Sequence, residues 1–102
     1  MMGEKRGYVI VEVQVNNADQ YERYTQHSRP AVAAFGGRYI AAGAPATLEG
    51  RTPAPRVIIV EFDSPQRAED FYRSSTYQQA KALRAGAAQV SMYIVEGIAA
   101  DR

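Results

Sequence analysis

The chain is 102 residues long, carries a net charge of +1 and contains no cysteine, which implies a single domain over residues 1–102 with one core. The near-zero charge excludes a basic nucleic-acid footprint or a polybasic membrane patch, and the missing thiols exclude disulfides, thiolate metal sites and cysteine nucleophiles. No apolar run approaches a signal peptide or a membrane span, so a cytoplasmic location with no nucleic-acid or membrane partner is expected.

The same strand core is written three times, as Ile10-Val11-Glu12, Ile59-Val60-Glu61 and Ile94-Val95-Glu96. The first copy lies in an alternating run from Tyr8 to Val15, with Val9, Val11, Val13 and Val15 on one face. Asn16 and Asn17 can cap the helix that follows. Its buried stripe is Tyr21, Tyr24, Ser28, Ala31 and Phe35. Pro30 predicts a kink or restart, and Gly36-Gly37 predicts the stop. Arg38 to Ala42 reads as a second strand. The long connection from Gly43 to Arg56 holds three prolines, and is either a short added hairpin around Thr47-Leu48-Glu49 or a functional arm. Val57 to Phe62 is the third strand. Asp63-Ser64-Pro65 is a helix start, with Ala68, Phe71 and Tyr72 as the buried face behind it. Ser74-Ser75-Thr76 breaks that helix and caps a second piece, Tyr77 to Ala85, which Gly86 stops. Val90 to Glu96 is the last strand.

This order predicts an α+β fold, a ferredoxin-like β-α-β-β-α-β sandwich on an antiparallel sheet. Right-handed crossovers place the first and third strands at the centre. Two helices cover only one face, and the valines of the first strand with Ile58, Val60 and Phe62 form that side. The other face is expected to carry Tyr8, Ile10, Val57, Ile59, Met92 and Ile94, too much apolar surface to leave wet. A second copy is the simplest cover, so a homodimer is expected.

Several blocks resemble one family: Gly7-Tyr8-Val9-Ile10-Val11-Glu12-Val13, Phe35-Gly36-Gly37-Arg38-Tyr39, Leu48-Glu49-Gly50, Val60-Glu61-Phe62 and Tyr77-Gln78-Gln79-Ala80-Lys81-Ala82-Leu83-Arg84. In this order they are similar to domain of unknown function family 1330, from about Gly7 to Gly97. That family resembles the dimeric α+β barrel proteins, in which two ferredoxin-like sheets pack face to face. The resemblance implies a dimer but no established activity. Wider relatives include cofactor-free monooxygenases, small isomerases and haem-handling enzymes, with pockets between helices and sheet. None of their catalytic motifs matches here residue by residue.

The candidate site is a ligand pocket of His27, Arg38, Tyr39, Glu61 and Tyr77, with no metal and no cofactor. Glu12 and Glu61 fall toward opposite ends of the sheet, which argues against a proton-sharing pair. His27 is the sole imidazole, available as a base or ligand, or a solvated helix flank among Thr25, Gln26 and Arg29. Arg38 could fork onto a ligand carboxylate with Tyr39 as a neutral donor, or simply pair with Glu61 or Glu12. Tyr77, Lys81 and Arg84 share one helical stripe, either rimming the same pocket or forming one packed ring with two solvated cations. No second His, Cys or short carboxylate–histidine spacing supports a metal site. The run Arg56-Val57-Ile58-Ile59-Val60-Glu61-Phe62 puts aliphatics and a carboxylate where an RNA recognition motif displays stacking rings, so that reading fails. The expected function is binding or converting a small acidic or aromatic metabolite without a tightly bound cofactor; the alternative is a non-catalytic ligand-binding or structural dimer.

Overall fold

The computed structural model describes residues 5–99. Four strands, β1 (Gly7–Val15), β2 (Arg38–Gly43), β3 (Arg56–Phe62) and β4 (Ala88–Glu96), form one antiparallel sheet in the order β2-β3-β1-β4. Three helices complete the fold: α1 (Ala18–Ala34), α2 (Pro65–Arg73) and α3 (Ser75–Leu83). The strand order is that of a ferredoxin-like sandwich whose second helix is broken in two.

Local chemistry sets each boundary. The Asn17 side chain accepts from the Gln20 N–H at 3.1 Å and opens α1. The helix then passes through Pro30 without the predicted restart. Pro30 and Gln26, whose carbonyl loses its intrahelical partner, both lie on the exposed side, where water can supply the missing bond. Gly36 ends the helix with φ +77°, a conformation glycine adopts without steric cost. Ser64 caps α2 by accepting from the Arg67 N–H at 3.0 Å, ahead of Pro65. A single residue, Ser74, ends α2 and begins α3: its hydroxyl donates to the Phe71 carbonyl at 2.7 Å and accepts from the Tyr77 N–H at 3.1 Å. The segment from residue 44 to 55 contains no added hairpin; instead, the Ala54 N–H donates to Glu12 Oε1 at 3.3 Å.

Alternation along β1 divides the molecule. Val9, Val11 and Val13 point to the helices and are buried with Val60, Phe62, Ala68, Phe71 and Tyr77. Phe71 sits at the centre of an aromatic cluster, 5.2 Å from Phe62 and 4.6 Å from Tyr77 between ring centroids. Gly7 faces the same side and lies so close to the start of α2 that a Cβ there would be 2.6 Å from Pro65 Cα.

Register corrects the expectation for β4. Ile94 pairs with Val9 and Met92 with Val11, and directly paired residues share a face, so both belong to the helix side. The open face instead carries Tyr8, Ile10, Val57, Ile59, Tyr93 and Val95, together with Glu12, Arg38 and Glu61. A bulge at Ile40 shifts the β2–β3 register between Tyr39 and Ala41.

Candidate functional site

The space between α1 and the sheet is not filled. Helix α1 presents Tyr21, Tyr24, Thr25, Ser28 and Arg29 at three- and four-residue spacing, and these overhang a floor of Val11, Ile58 and Val60. They enclose a cavity of about 390 Å³ that Tyr39 from β2 and Tyr77 from α3 close at the sides. Four phenols therefore line a mainly apolar chamber. At its depth the Tyr24 and Tyr77 hydroxyls are 2.8 Å apart. Burial, more than any charge, pushes the Tyr77 phenol far above its usual range, and Tyr24 is raised for the same first reason. Both stay neutral at physiological pH and act as hydrogen-bond donors and acceptors, not as bases.

Two cations, Arg29 and Arg56, also line the cavity. Neither makes a salt bridge with a carboxylate among the described residues. Arg56 shares the sheet face of Ile58, Val60 and Phe62, so strand parity already placed it on the helix side.

The five residues proposed from sequence fall in three places. Tyr39 and Tyr77 line the cavity. His27 is exposed on α1 and is not part of the lining. Arg38 and Glu61 lie on the open sheet face, behind the cavity floor. Arg38 Nη2 and Nε both donate to Glu61 Oε1, at 2.7 and 3.1 Å, and the Tyr8 hydroxyl donates to Glu61 Oε2 at 2.9 Å. Arg38 Nη2 is also 3.7 Å from Asp63 Oδ1. A matching group surrounds Glu12: the Ala54 N–H, the Tyr93 hydroxyl at 3.1 Å and Arg51 at 3.5 Å. Glu12 pairs across from Val57 and Glu61 across from Tyr8, so the two carboxylates stand at opposite ends of β1. They form no dyad.

Both carboxyls are held below the usual carboxylate range: Glu61 chiefly by the Arg38 hydrogen bond and then by Tyr8, Glu12 chiefly by the Ala54 N–H. A carboxyl depressed in the folded state contributes stability that is present above its unfolded pKa, about 4.3, and lost as pH falls through the folded value. The melting temperature is therefore expected to drop on acidification from about pH 5 to about pH 3. The Glu12→Gln/Glu61→Gln double variant should show a shallower drop in a thermal melt series; an unchanged slope would place the acid sensitivity elsewhere.

Among the described residues, no helix is long and apolar enough to cross a membrane, and no group of three or more His, Cys, Asp or Glu is arranged to hold a metal ion.

Comparison with known proteins agrees with this architecture. The family model described as a domain of unknown function (DUF1330) matches residues 6–98. No curated protein matches the sequence. Among solved structures, a protein of unknown function from Rhodopseudomonas palustris superposes with a TM-score of 0.73 at 19% identity, over 95% of this chain and 85% of that one. A dimeric ferredoxin-like protein of unknown function from Thermobifida fusca gives 0.57 at 17% identity, over 90% and 92%. A protein from Nitrosomonas europaea, provisionally described as an antibiotic biosynthesis monooxygenase, gives 0.57 at 11% identity, over 96% and 94%. At these identities the likeness is one of fold.

Proposed function

This chain belongs to the family of the domain of unknown function DUF1330, and within it we propose that the helix–sheet cavity binds or converts a small acidic or aromatic metabolite without a tightly bound cofactor. One observation carries the reading: two guanidinium groups with no carboxylate partner among the described residues line a phenol-walled cavity of about 390 Å³. That size lies within the range of small-molecule sites. An aromatic or aliphatic body would rest on Val11, Ile58 and Val60, and its carboxylate would meet Arg29 and Arg56. The neutral Tyr24–Tyr77 pair would orient an oxygen substituent at the inner end. If chemistry follows, oxygenation with dioxygen as the oxidant and the substrate itself as the reductant suits a chamber without a charged base, and the Nitrosomonas europaea neighbour favours that class. The non-catalytic alternative uses the same cavity for binding alone.

The test is a thermal-shift screen of aromatic and short aliphatic carboxylates. Ligand present at a hundred times its Kd should stabilise the fold by about 2.7 kcal/mol, and the Arg29→Met/Arg56→Met variant should lose that response while folding normally. A library that never moves the melting temperature would refute the metabolite reading and leave a structural dimer.

The assembly we propose is a homodimer whose open sheet faces pack together. Ile10, Val57, Ile59 and Val95 lie on a face that none of the three helices covers, and the Thermobifida fusca neighbour is described as dimeric. Arg38 and Glu61 would then be interface residues, their charges already satisfied within one chain.

A further inference from the structure

A second cavity of about 510 Å³ lies between α2, α3 and β4. Phe71, Val90, Met92 and Ile94 make its apolar wall, and its polar side is cationic. The Glu69 carboxylate is occupied, since Arg73 Nη2 and Nε donate to its Oε2 at 2.9 and 3.1 Å. Lys81 and Arg84, three residues apart on and just after α3, have no carboxylate partner among the described residues. Lys81 Nζ donates to the Tyr72 hydroxyl at 2.7 Å, one bond for a group with three protons. Arg84 is half-buried against the Tyr24 ring, its guanidinium carbon 5.2 Å from the ring centroid. Among the described residues its guanidinium makes one hydrogen bond, a long one, from Nη2 to the Tyr77 hydroxyl at 3.4 Å. Its Nε is buried with no acceptor among the described residues.

Buried cations in proteins are paired, because leaving a guanidinium N–H without an acceptor costs its full desolvation. A cavity walled by two cations and a phenol, with a buried unmet donor on one of those cations, lacks one thing, an oxyanion. We propose that this second cavity binds a small oxyanion, a carboxylate or phosphate, held by Arg84 and Lys81 with the Tyr72 hydroxyl as a third contact. The apolar remainder of the ligand would lie on Phe71, Met92 and Ile94. This site is independent of Arg29 and Arg56, so it stands whether or not the first cavity binds a metabolite.

The site has its own reporter. Lys81, through its hydrogen bond first, lowers the Tyr72 phenol below the usual tyrosine range; an anion beside Lys81 opposes that effect and raises it again. The experiment titrates sodium phosphate and, separately, sodium benzoate into the full chain at fixed ionic strength, with chloride as control. It follows the melting temperature, the Arg84 Nε–H resonance and the tyrosine Cζ titration curves. Expected are a higher melting temperature, a shifted Arg84 Nε–H signal and a later Tyr72 titration with at least one anion. A response to phosphate alone assigns a phosphorylated ligand, and to benzoate alone a carboxylate. Arg84→Met should abolish the response without lowering the anion-free melting temperature, because the unmet donor goes with it. Lys81→Met should remove the early tyrosine titration and weaken binding, while Arg29→Met/Arg56→Met, which removes the carboxylate response of the first cavity, should retain the Arg84 Nε–H shift and the later Tyr72 titration. The proposal is overturned if neither anion exceeds chloride, or if Arg84→Met lowers the anion-free melting temperature and leaves the anion response intact.

Discussion

Replacing Ile59 by lysine is expected to turn the proposed dimer into a folded monomer. Ile59 lies mid-strand on β3, paired with Ile10 of β1 and Ala41 of β2, on the face opposite the helices. In the single chain the new ammonium can reach water, so the helix-side core of Val60, Phe62 and Phe71 is untouched. In the proposed assembly it would be buried without a partner, at a cost of about 3–5 kcal/mol, or roughly a thousandfold in dissociation constant. Sedimentation velocity across micromolar concentrations would read this directly. A wild-type protein that sediments as a monomer there refutes the proposed assembly, and a variant that unfolds outright places Ile59 in the fold rather than at an interface.

Gly7→Ala is expected to be the most damaging single-atom addition to the fold. The new Cβ would stand 2.6 Å from both Pro65 Cα and Ser64 O, and 2.7 Å from Pro65 N. All three are backbone atoms, so no side chain can swing aside. The start of α2 is pinned by the Ser64 cap and the proline ring, and relief requires the whole helix to lift off β1. Overpacking of this kind costs about 1–3 kcal/mol, and the rigid obstacle puts the expectation at the upper end. For a domain of this size that is a melting-temperature loss of about 12–24 °C. A loss under about 4 °C, or less than about 1 kcal/mol at this size, would mean that α2 is far more loosely docked than its caps imply.

What the sequence made legible was what depends on neighbours in the chain. The valine alternation of β1, the Asn17 and Ser64 caps, the Gly36 stop and the Ser74 break all follow from local preference, and all stand where they were expected. The strand order followed from connection handedness. Placement that depends on register was harder. Met92 and Ile94 were put on the open face because nothing in β4 alone says which parity meets Val9. Arg38 and Tyr39 were joined in one pocket although adjacent strand residues point to opposite faces; Tyr39 reaches the cavity and Arg38 meets Glu61 behind it. His27 sits on the same helix as the cavity-lining Ser28 but one step round the axis, and is exposed. Arg29 enters the sequence analysis only as part of the solvated flank around His27, Arg56 only as the start of the third-strand run, and Arg84 only as part of a stripe. Its unmet Nε is a tertiary fact that no spacing encodes.

The bulge at Ile40 has a consequence for how copies of this chain can grow. Continuous edge-to-edge growth of the sheet needs two competent edges, β2 of one copy against β4 of the next. The displaced register between Tyr39 and Ala41 spoils β2 as a template for an incoming strand. The only edge pairing left, β4 against β4, uses the same surface on both partners and is complete after two copies. For a sheet with aliphatic runs at Ile10, Ile59 and Ile94, one extra residue in β2 is thereby expected to disfavour open-ended strand addition.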